Sequence, residues 1–374
     1  MQKIKEINGK YASAVVFTDN IEDYAKAQVK MICDNEAAEG SKICVMPDVH
    51  PGKVGPIGLT MIIKERIIPN LVGTDIGCGI SCTLIGKKNV EFQKLDKVIR
   101  ECIPAGGSIR KEPHWYSSDF DFADLLCKKY VNQSRGMHSL GTLGSGNHFI
   151  ELDRDDEGKL YLTVHSGSRH LGKEVTEYYL KEGQKQLKKK GVIVPYEMTW
   201  LEGGLMQNYL HDVFVVQGFA MLNREIMIRE ICKKMKWKPD YSGECIHNYV
   251  DENMVLRKGA CSAYKGDAVI IPVNMKDGII LGIGKGNEDW NCSAPHGAGR
   301  ILRRDEVSKQ HTVSEFKAQM DGIYCSVICR ETLDEAPFAY RGLKEIHENV
   351  KDTVDVKKIL KPVYNYKAAE ARRG

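Results

Sequence analysis

The chain has 374 residues, 42% of them hydrophobic, which is a globular composition with enough length for a large buried core. Lys and Arg number 54 against 50 Asp and Glu, a formal charge of +4, so the basic excess that marks a nucleic-acid binder by composition is missing, and charge neither requires nor excludes RNA. The 12 cysteines are scattered and form no C-x2-C pair, and the longest apolar run near the N-terminus is Ala14-Val15-Val16-Phe17, which argues against a structural zinc site, a disulfide scaffold, a signal peptide or a membrane span and predicts a protein of the reducing cytoplasm.

In chain order, Ile21, Tyr24, Ala25, Val29, Ile32 and Cys33 recur at helical spacing within residues 20–38, with Asn20 placed to cap. Residues 43–46 read as a buried strand, with Asp48 and His50 emerging just after it. Further strands are expected over 59–63, 80–85, 149–152, 160–164, 268–273 and 279–283, and helices over 122–130, 174–189 and 205–234. Residues 153–158 read as a hairpin loop. The basic runs Lys188-Lys189-Lys190 and Lys233-Lys234-Met235-Lys236 suit solvated helix ends, where the dipole favours positive charge. Strands and helices do not alternate, no repeat occurs and no Pro/Ser/Gly-rich linker divides the chain, which predicts one α+β domain over residues 1–374.

The chemistry concentrates in glycine-flanked segments. Gly73-Thr74-Asp75-Ile76-Gly77-Cys78-Gly79 sets a carboxylate and a thiol three residues apart, and His148, His165 and His247 follow in comparable surroundings near strand ends. Sulfur, nitrogen and oxygen together suit a borderline transition metal such as Mn, Co, Fe or Zn better than Mg or Ca. Five ligands exceed one tetrahedral zinc, and a thiolate can bridge, so two metals sharing Cys78 fit the count and suit phosphoryl transfer. In Ser293-Ala294-Pro295-His296-Gly297-Ala298-Gly299-Arg300 a histidine lies between a proline and two glycines whose backbone can approach a polyphosphate, which makes His296 a candidate nucleophile. Arg300, Arg304, Lys258 and Arg169 are candidate phosphate binders. No Walker A sequence occurs, and Gly282-Ile283-Gly284-Lys285-Gly286 lacks the spacing of a dinucleotide fingerprint. His114, His138, His211, His311 and His347 lack companions and read as surface residues, and His170 as a neighbour of the site. Cys82, Cys102, Cys127, Cys232 and Cys329 read as packing residues.

From about Met46 to Lys367 these motifs resemble, in order, those of the RtcB-type RNA ligases, of which the chain looks like a divergent branch. The resemblance implies a single α+β domain with central mixed sheets flanked by helices, two Mn(II) ions per site, GTP as cofactor and RNA as partner. It implies joining of RNA 3'-phosphate or 2',3'-cyclic-phosphate ends to 5'-hydroxyl ends through a His-GMP intermediate, in tRNA splicing or RNA repair. Carried over residue by residue, it makes Asp75, Cys78, His148, His165 and His247 the manganese ligands, with Cys78 bridging. His296 becomes the guanylylated nucleophile and Asp48 a catalytic aspartate. Nucleotide contacts are implied at Asn147, His148, Phe149, Ile150 and Glu151, at His247 and Asn248, at Pro272, Val273, Asn274, Met275 and Ile279, at Gly297, Ala298 and Gly299, and at Tyr340 and Lys367. Arg169, Lys258, Arg300 and Arg304 are implied at phosphate or RNA backbone.

Two departures stand out. Where the family commonly has Pro-Gly-Ser-Met and then another serine, this chain has Pro272-Val273-Asn274-Met275 and Ile279, which removes hydroxyl donors and predicts weaker GTP use by about 1 kcal/mol per missing hydrogen bond unless Asn274 compensates. The loop between His247 and Arg257 is also short. Two rival readings share the cluster: a metal-dependent cyclic phosphodiesterase that uses no GTP, and a non-catalytic RNA-end binding factor with a structural metal. His296 speaks against the first, and an open mixed-ligand site against the second.

Overall fold

The computed structural model describes residues 5–240 and 242–368, so the ends of the expected 1–374 domain lie outside the described residues. Two large sheets carry the fold. One has six strands in the order Lys5–Asn8, Ser13–Val16, Ile43–His50, Ile57–Ile62, Val255–Lys258 and Asn248–Val250. The other runs Ser242–Ile246, Gly79–Gly86, Leu160–Ser166, Phe149–Arg154, Val354–Lys367, Gly278–Gly284 and Ala268–Asn274, with Tyr324–Cys325 pairing alongside Val354–Lys367. Both sheets join early to late segments: Ile57–Ile62 pairs with Val255–Lys258, and Phe149–Arg154 with Val354–Lys367. The result is an α+β fold with central sheets flanked by helices.

The helix Gly203–Met235 runs through both large apolar clusters. Val213, Val216 and Phe219 pack with the strands of the six-stranded sheet, while Met227, Ile231 and Cys232 pack with Ile150, Leu162 and Val164 of the other. Truncating a buried aromatic such as Phe219 would cost about 3–5 kcal/mol. Its C-cap Lys236 is left-handed, and Lys233 and Lys234 occupy the last turn, as Lys188 and Lys189 do in Arg169–Lys189. Among the described residues no helix is long and apolar enough to cross a membrane.

Several expectations are corrected. Residues 122–130 form two short 3-10 turns, Phe122–Asp124 and Lys128–Tyr130, instead of a helix. The amides between them are taken by a tertiary partner: Asp212 accepts from Leu126 N at 2.8 Å and Cys127 N at 3.0 Å. The first helix spans only Asp23–Cys33 behind Glu22, so Asn20 does not cap it, and Asn35 instead caps the turn Glu36–Ala38. The strand expected over 43–46 continues to His50, which puts Asp48 and His50 inside it. His114 is buried, its Nε2 3.2 Å from Glu230, and is not a surface residue. Cys82, Cys127 and Cys232 are buried as expected, whereas Cys102 and Cys329 are only partly so.

Candidate metal centre and nucleotide cleft

Strand register assembles the candidate metal ligands. Gly79 is opposite Ser166 on one side and Ile246 on the other, and Phe149 is opposite His165. Cys78 and His148 immediately precede their strands, His165 is the penultimate residue of Leu160–Ser166, and His247 immediately follows Ser242–Ile246. Antiparallel pairing therefore stacks four chain segments at one end of one sheet.

The side chains meet there as two overlapping groups, Cys78–His165–His247 and Asp75–Cys78–His148, each with its ligand atoms within 4.8 Å of one another. Cys78 Sγ is 3.4 Å from His148 Nε2 and 3.4 Å from His165 Nε2, His165 Nε2 is 3.3 Å from His247 Nε2, and His148 Nε2 is 3.1 Å from Asp75 Oδ2. Shared membership of Cys78 is what a bridging thiolate requires. The Nδ1 atoms of His148 and His165 lie 2.8 Å from Leu143 O and 3.2 Å from Asn147 O, contacts that fix Nδ1 as the donor and leave Nε2 as the ligand atom. A Cβ on Gly167 would fall 2.1 Å from Asp75 Oδ1, so the carboxylate's seat exists only because that residue is glycine.

Electrostatics suit a cation. Burial pushes His165 and His247 well below the usual imidazole range, so both are neutral donors. Burial alone would raise Asp75, but contact with His148 outweighs it and brings the carboxyl to about 2. Burial, reinforced by Asp75, pushes the Cys78 thiol up, so its thiolate needs a positive charge beside it. A sulfur, imidazole and carboxylate donor set at these separations fits a transition metal better than Mg or Ca.

His296 lies beside this cluster and outside both ligand groups, its ring centroid 4.8 Å from that of His247. It follows the short strand Ser293–Pro295, which pairs with Ala260–Ser262. Asp48, from the six-stranded sheet and fully buried, has Oδ2 2.9 Å from His296 Nδ1, while its Oδ1 has no hydrogen-bond partner among the described residues. His50, pushed down to about 4 mainly by burial, donates Nδ1–H to Asp48 O at 3.0 Å. Gly299 has φ +69°, and a Cβ there would lie 2.6 Å from Asp48 O, so the turn after His296 closes on Asp48 only with glycine.

His296 opens into a cleft of about 460 Å³, a size that suits a nucleotide. Of the expected contacts, Asn147, Phe149 and Glu151 form one wall, Pro272, Val273, Asn274 and Met275 another, and Gly297, Ala298 and Gly299 the floor beside the histidine. Tyr340, Lys367, Arg300 and Arg304 complete it. Five expected contacts do not belong to the wall, among them His148 and His247, whose rings are taken up in the Asp/Cys/His cluster. Ile150 and Ile279 have no exposed surface and lie in separate apolar clusters; Ile150 points away from the cleft because adjacent strand residues face opposite sides and Phe149 and Glu151 on either side of it line the wall. Asn248 serves the backbone, accepting from Gly259 N at 2.9 Å. Asn274 is committed to the hairpin turn, where Oδ1 accepts from Lys276 N and Asp277 N at 3.0 and 2.9 Å. The short 247–257 loop is the turn of a hairpin between Asn248–Val250 and Val255–Lys258.

A residue without a forecast role, Glu335, organises the cationic side of this cleft. Its carboxylate takes Lys367 Nζ at 2.7 Å, Arg304 at 2.7 Å, Arg300 at 3.2 Å and the Tyr340 hydroxyl at 2.6 Å. Burial opposes its charge, yet Lys367, Arg304 and Arg300 together bring it to about 2. Its position five residues before Tyr340 in Asp334-Glu335-Ala336-Pro337-Phe338-Ala339-Tyr340 is too weak a signal to separate it from Asp334. Asn365 is a second missed wall residue, donating to Glu151.

A smaller cleft of about 340 Å³ opens on the Asp75–His148 side of the cluster, shares Asn147 with the first, and is lined by Arg135, Arg169, His170 and Lys173. Arg169 and His170 thus line this cleft, together with Arg135 and Lys173, which no motif marks. Lys258 is on neither wall: it is buried, donates to Asn70 O at 3.0 Å and is pushed down to about 8 by burial.

Comparison with known proteins agrees with this geometry. The family description "tRNA-splicing ligase RtcB" matches residues 36–368. The chain is 32% identical over 363 residues to the RNA-splicing ligase RtcB of Escherichia coli, covering 86% of this chain and 88% of that protein. It is 29% identical over 397 residues to the tRNA-splicing ligase RtcB of Aeropyrum pernix, covering 81% and 82%, and 27% identical over 402 residues to that of Thermococcus kodakarensis, covering 81% and 82%. With a family match spanning most of its length and a buried Asp/Cys/His cluster at its centre, the chain belongs to the RtcB family of RNA-splicing ligases.

Proposed function

We propose that the chain acts as one catalytic unit, a GTP- and Mn(II)-dependent ligase that joins RNA 3'-phosphate or 2',3'-cyclic-phosphate ends to 5'-hydroxyl ends, in tRNA splicing or RNA repair. The observation that carries the reading is the Asp48–His296 pair in the larger cleft. A hydrolase working through the metal cluster alone has no use for an imidazole set apart from the ligands and oriented by a buried carboxylate. The free cysteines support a reducing compartment, the cytoplasm.

With its Nδ1–H donated to Asp48, His296 presents the Nε2 lone pair. Attack on the α-phosphorus of GTP forms the N–P bond and expels pyrophosphate, whose bridging oxygen takes the electron pair. The imidazole becomes cationic as that bond forms, and the Asp48 carboxylate offsets the charge in a low-dielectric setting. An oxygen of the RNA 3'-phosphate then displaces His296 from phosphorus, and the 5'-hydroxyl attacks the activated 3'-phosphate with GMP leaving. Metal ions held by Asp75, Cys78, His148, His165 and His247 would supply Lewis-acid charge at the transferring phosphoryl oxygens. Lys367, Arg300 and Arg304 would receive the nucleotide's phosphates, Glu151 and Asn365 its base, and Arg135, Arg169 and Lys173 the RNA end in the smaller cleft.

The test combines each pair of RNA ends with GTP and Mn(II), the 3'-terminal phosphate isotopically labelled. Joining of 3'-phosphate to 5'-hydroxyl ends with the label in the junction is expected, and 3'-hydroxyl with 5'-phosphate ends should be inert. Opening of cyclic phosphate without joining would favour the phosphodiesterase.

A further inference from the structure

Two adjacent residues of the helix Gly203–Met235, Asn223 and Arg224, are buried without exposed surface and spend their side chains on the segments that carry the metal ligands. Arg224 NH1 donates to Gly77 O at 2.8 Å, in the turn between Asp75 and Cys78, and to Ser166 O at 2.6 Å, next to His165. Its Nε donates to Glu244 Oε1 at 2.8 Å on the strand that ends before His247, and to Ser81 Oγ at 3.3 Å. Asn223 takes the other side. Its Oδ1 accepts from Thr142 N at 3.0 Å, and its Nδ2 reaches Thr142 O, Ser166 Oγ and Gly167 O, each at 3.1 Å. Ser166 Oγ in turn donates to Leu143 O at 2.8 Å, the carbonyl that orients His148.

We propose that Asn223 and Arg224 are a positioning pair that sets the spacing of the two metal half-sites. Arg224 governs Cys78–His165–His247, and Asn223 governs the approach of His148 to Asp75 and Cys78. The inference rests on the two-metal reading of the cluster. The five ligands come from four segments: backbone bonds from His247 N to Cys78 O at 2.8 Å and from Gly77 N to Asn248 O at 2.7 Å tie two of them, and the Asn223 and Arg224 side chains tie in the loop before His148 and the strand end at His165. A guanidinium does this as a rigid planar fork fixed to a helix, and an amide does it by satisfying a donor and an acceptor of Thr142 together. Neither residue touches the clefts, so neither is a catalytic residue; each acts through the ligands.

The experiment titrates metal-free protein with Co(II), reading stoichiometry by calorimetry and Cys78 ligation by the near-ultraviolet thiolate-to-cobalt absorption, alongside thermal unfolding of the metal-free forms. Wild type should bind two ions; failure to do so would sink the two-metal reading itself. Arg224→Lys keeps the charge but loses the fork, and should weaken the thiolate band and lower affinity at its half-site by roughly 10- to 100-fold. Asn223→Ser should leave the ion at Cys78–His165–His247 bound, keep the part of the thiolate band that this ion gives, and weaken the second ion by a similar factor. Should Arg224→Lys not fold, Glu244→Gln, at a partly exposed side chain, is expected to weaken the same half-site more mildly. Two ions bound with wild-type affinity and spectrum in these variants would overturn the proposal. So would equal loss at both half-sites in step with lowered unfolding temperature, which is what a merely structural role predicts.

Discussion

Asp48 and His296 are 248 positions apart in the chain, and their side chains meet at 2.9 Å inside the larger cleft. The carboxylate has no exposed surface, so the contact determines which imidazole nitrogen faces the cleft. Asp48→Asn keeps the shape but lets an amide hydrogen bond to Nδ1 and favours the wrong tautomer. Labelling of the protein by GTP carrying α-phosphorus isotope should fall by about 10²- to 10⁴-fold while metal content stays the same. Unchanged labelling would remove Asp48 from this role.

His296→Ala should abolish the covalent GMP adduct and leave two metals bound, because His296 belongs to neither ligand group. The wild-type adduct should be acid-labile and alkali-stable, as a P–N bond is. Residual labelling of the variant would identify another nucleophile.

Cys78→Ala should lower metal content more than His148→Ala or His247→Ala, since Cys78 alone belongs to both groups. Elemental analysis of dialysed protein measures this, and a cooperative unfolding curve excludes simple loss of fold. Equal metal loss in the three variants would contradict bridging.

The expected loss of nucleotide hydrogen bonds at Ile279 is revised by its place in the core. Ile279→Ser should cost about 2–4 kcal/mol of stability through a cavity and an unsatisfied hydroxyl, and leave the GTP concentration dependence unchanged. Denaturant unfolding and a GTP titration of labelling separate the two effects. A sharper GTP response in Ile279→Ser would put that side chain in the cleft after all.

Glu335 makes a pH prediction. Its folded value, about 2, lies below the unfolded value near 4.5, so its contribution is complete above the unfolded value and is lost as pH falls towards 2. The contribution is on the order of 3 kcal/mol, set by Lys367, Arg304 and Arg300 against the opposing cost of burial. Glu335→Gln should be destabilised at neutral pH and show a flatter stability profile between about pH 5 and 2. Parallel profiles for the two proteins would show that the three cations find other partners.

What the sequence determined by itself was the chemistry that local geometry demands. Asp75 and Cys78 three residues apart on glycines, His148 and His165 beside strand starts and ends, and His296 before two glycines are short-range patterns, and the alternating and helical periodicities around them placed most strands and the long helix within a few residues. Tertiary structure decided what depends on partners far along the chain. Asp212 drew the amides of Leu126 and Cys127 out of a helix, and strand parity turned Ile150 into the core while Glu151 faced the cleft. Glu335 gathered three cations from two segments, and Asn223 and Arg224, ordinary polar residues in a helical pattern, bonded to Thr142 and Gly77 in loops far along the chain. A carboxylate or guanidinium carries no local sign of its partner, because burial creates the need for a hydrogen bond and only the packed chain supplies the group that meets it.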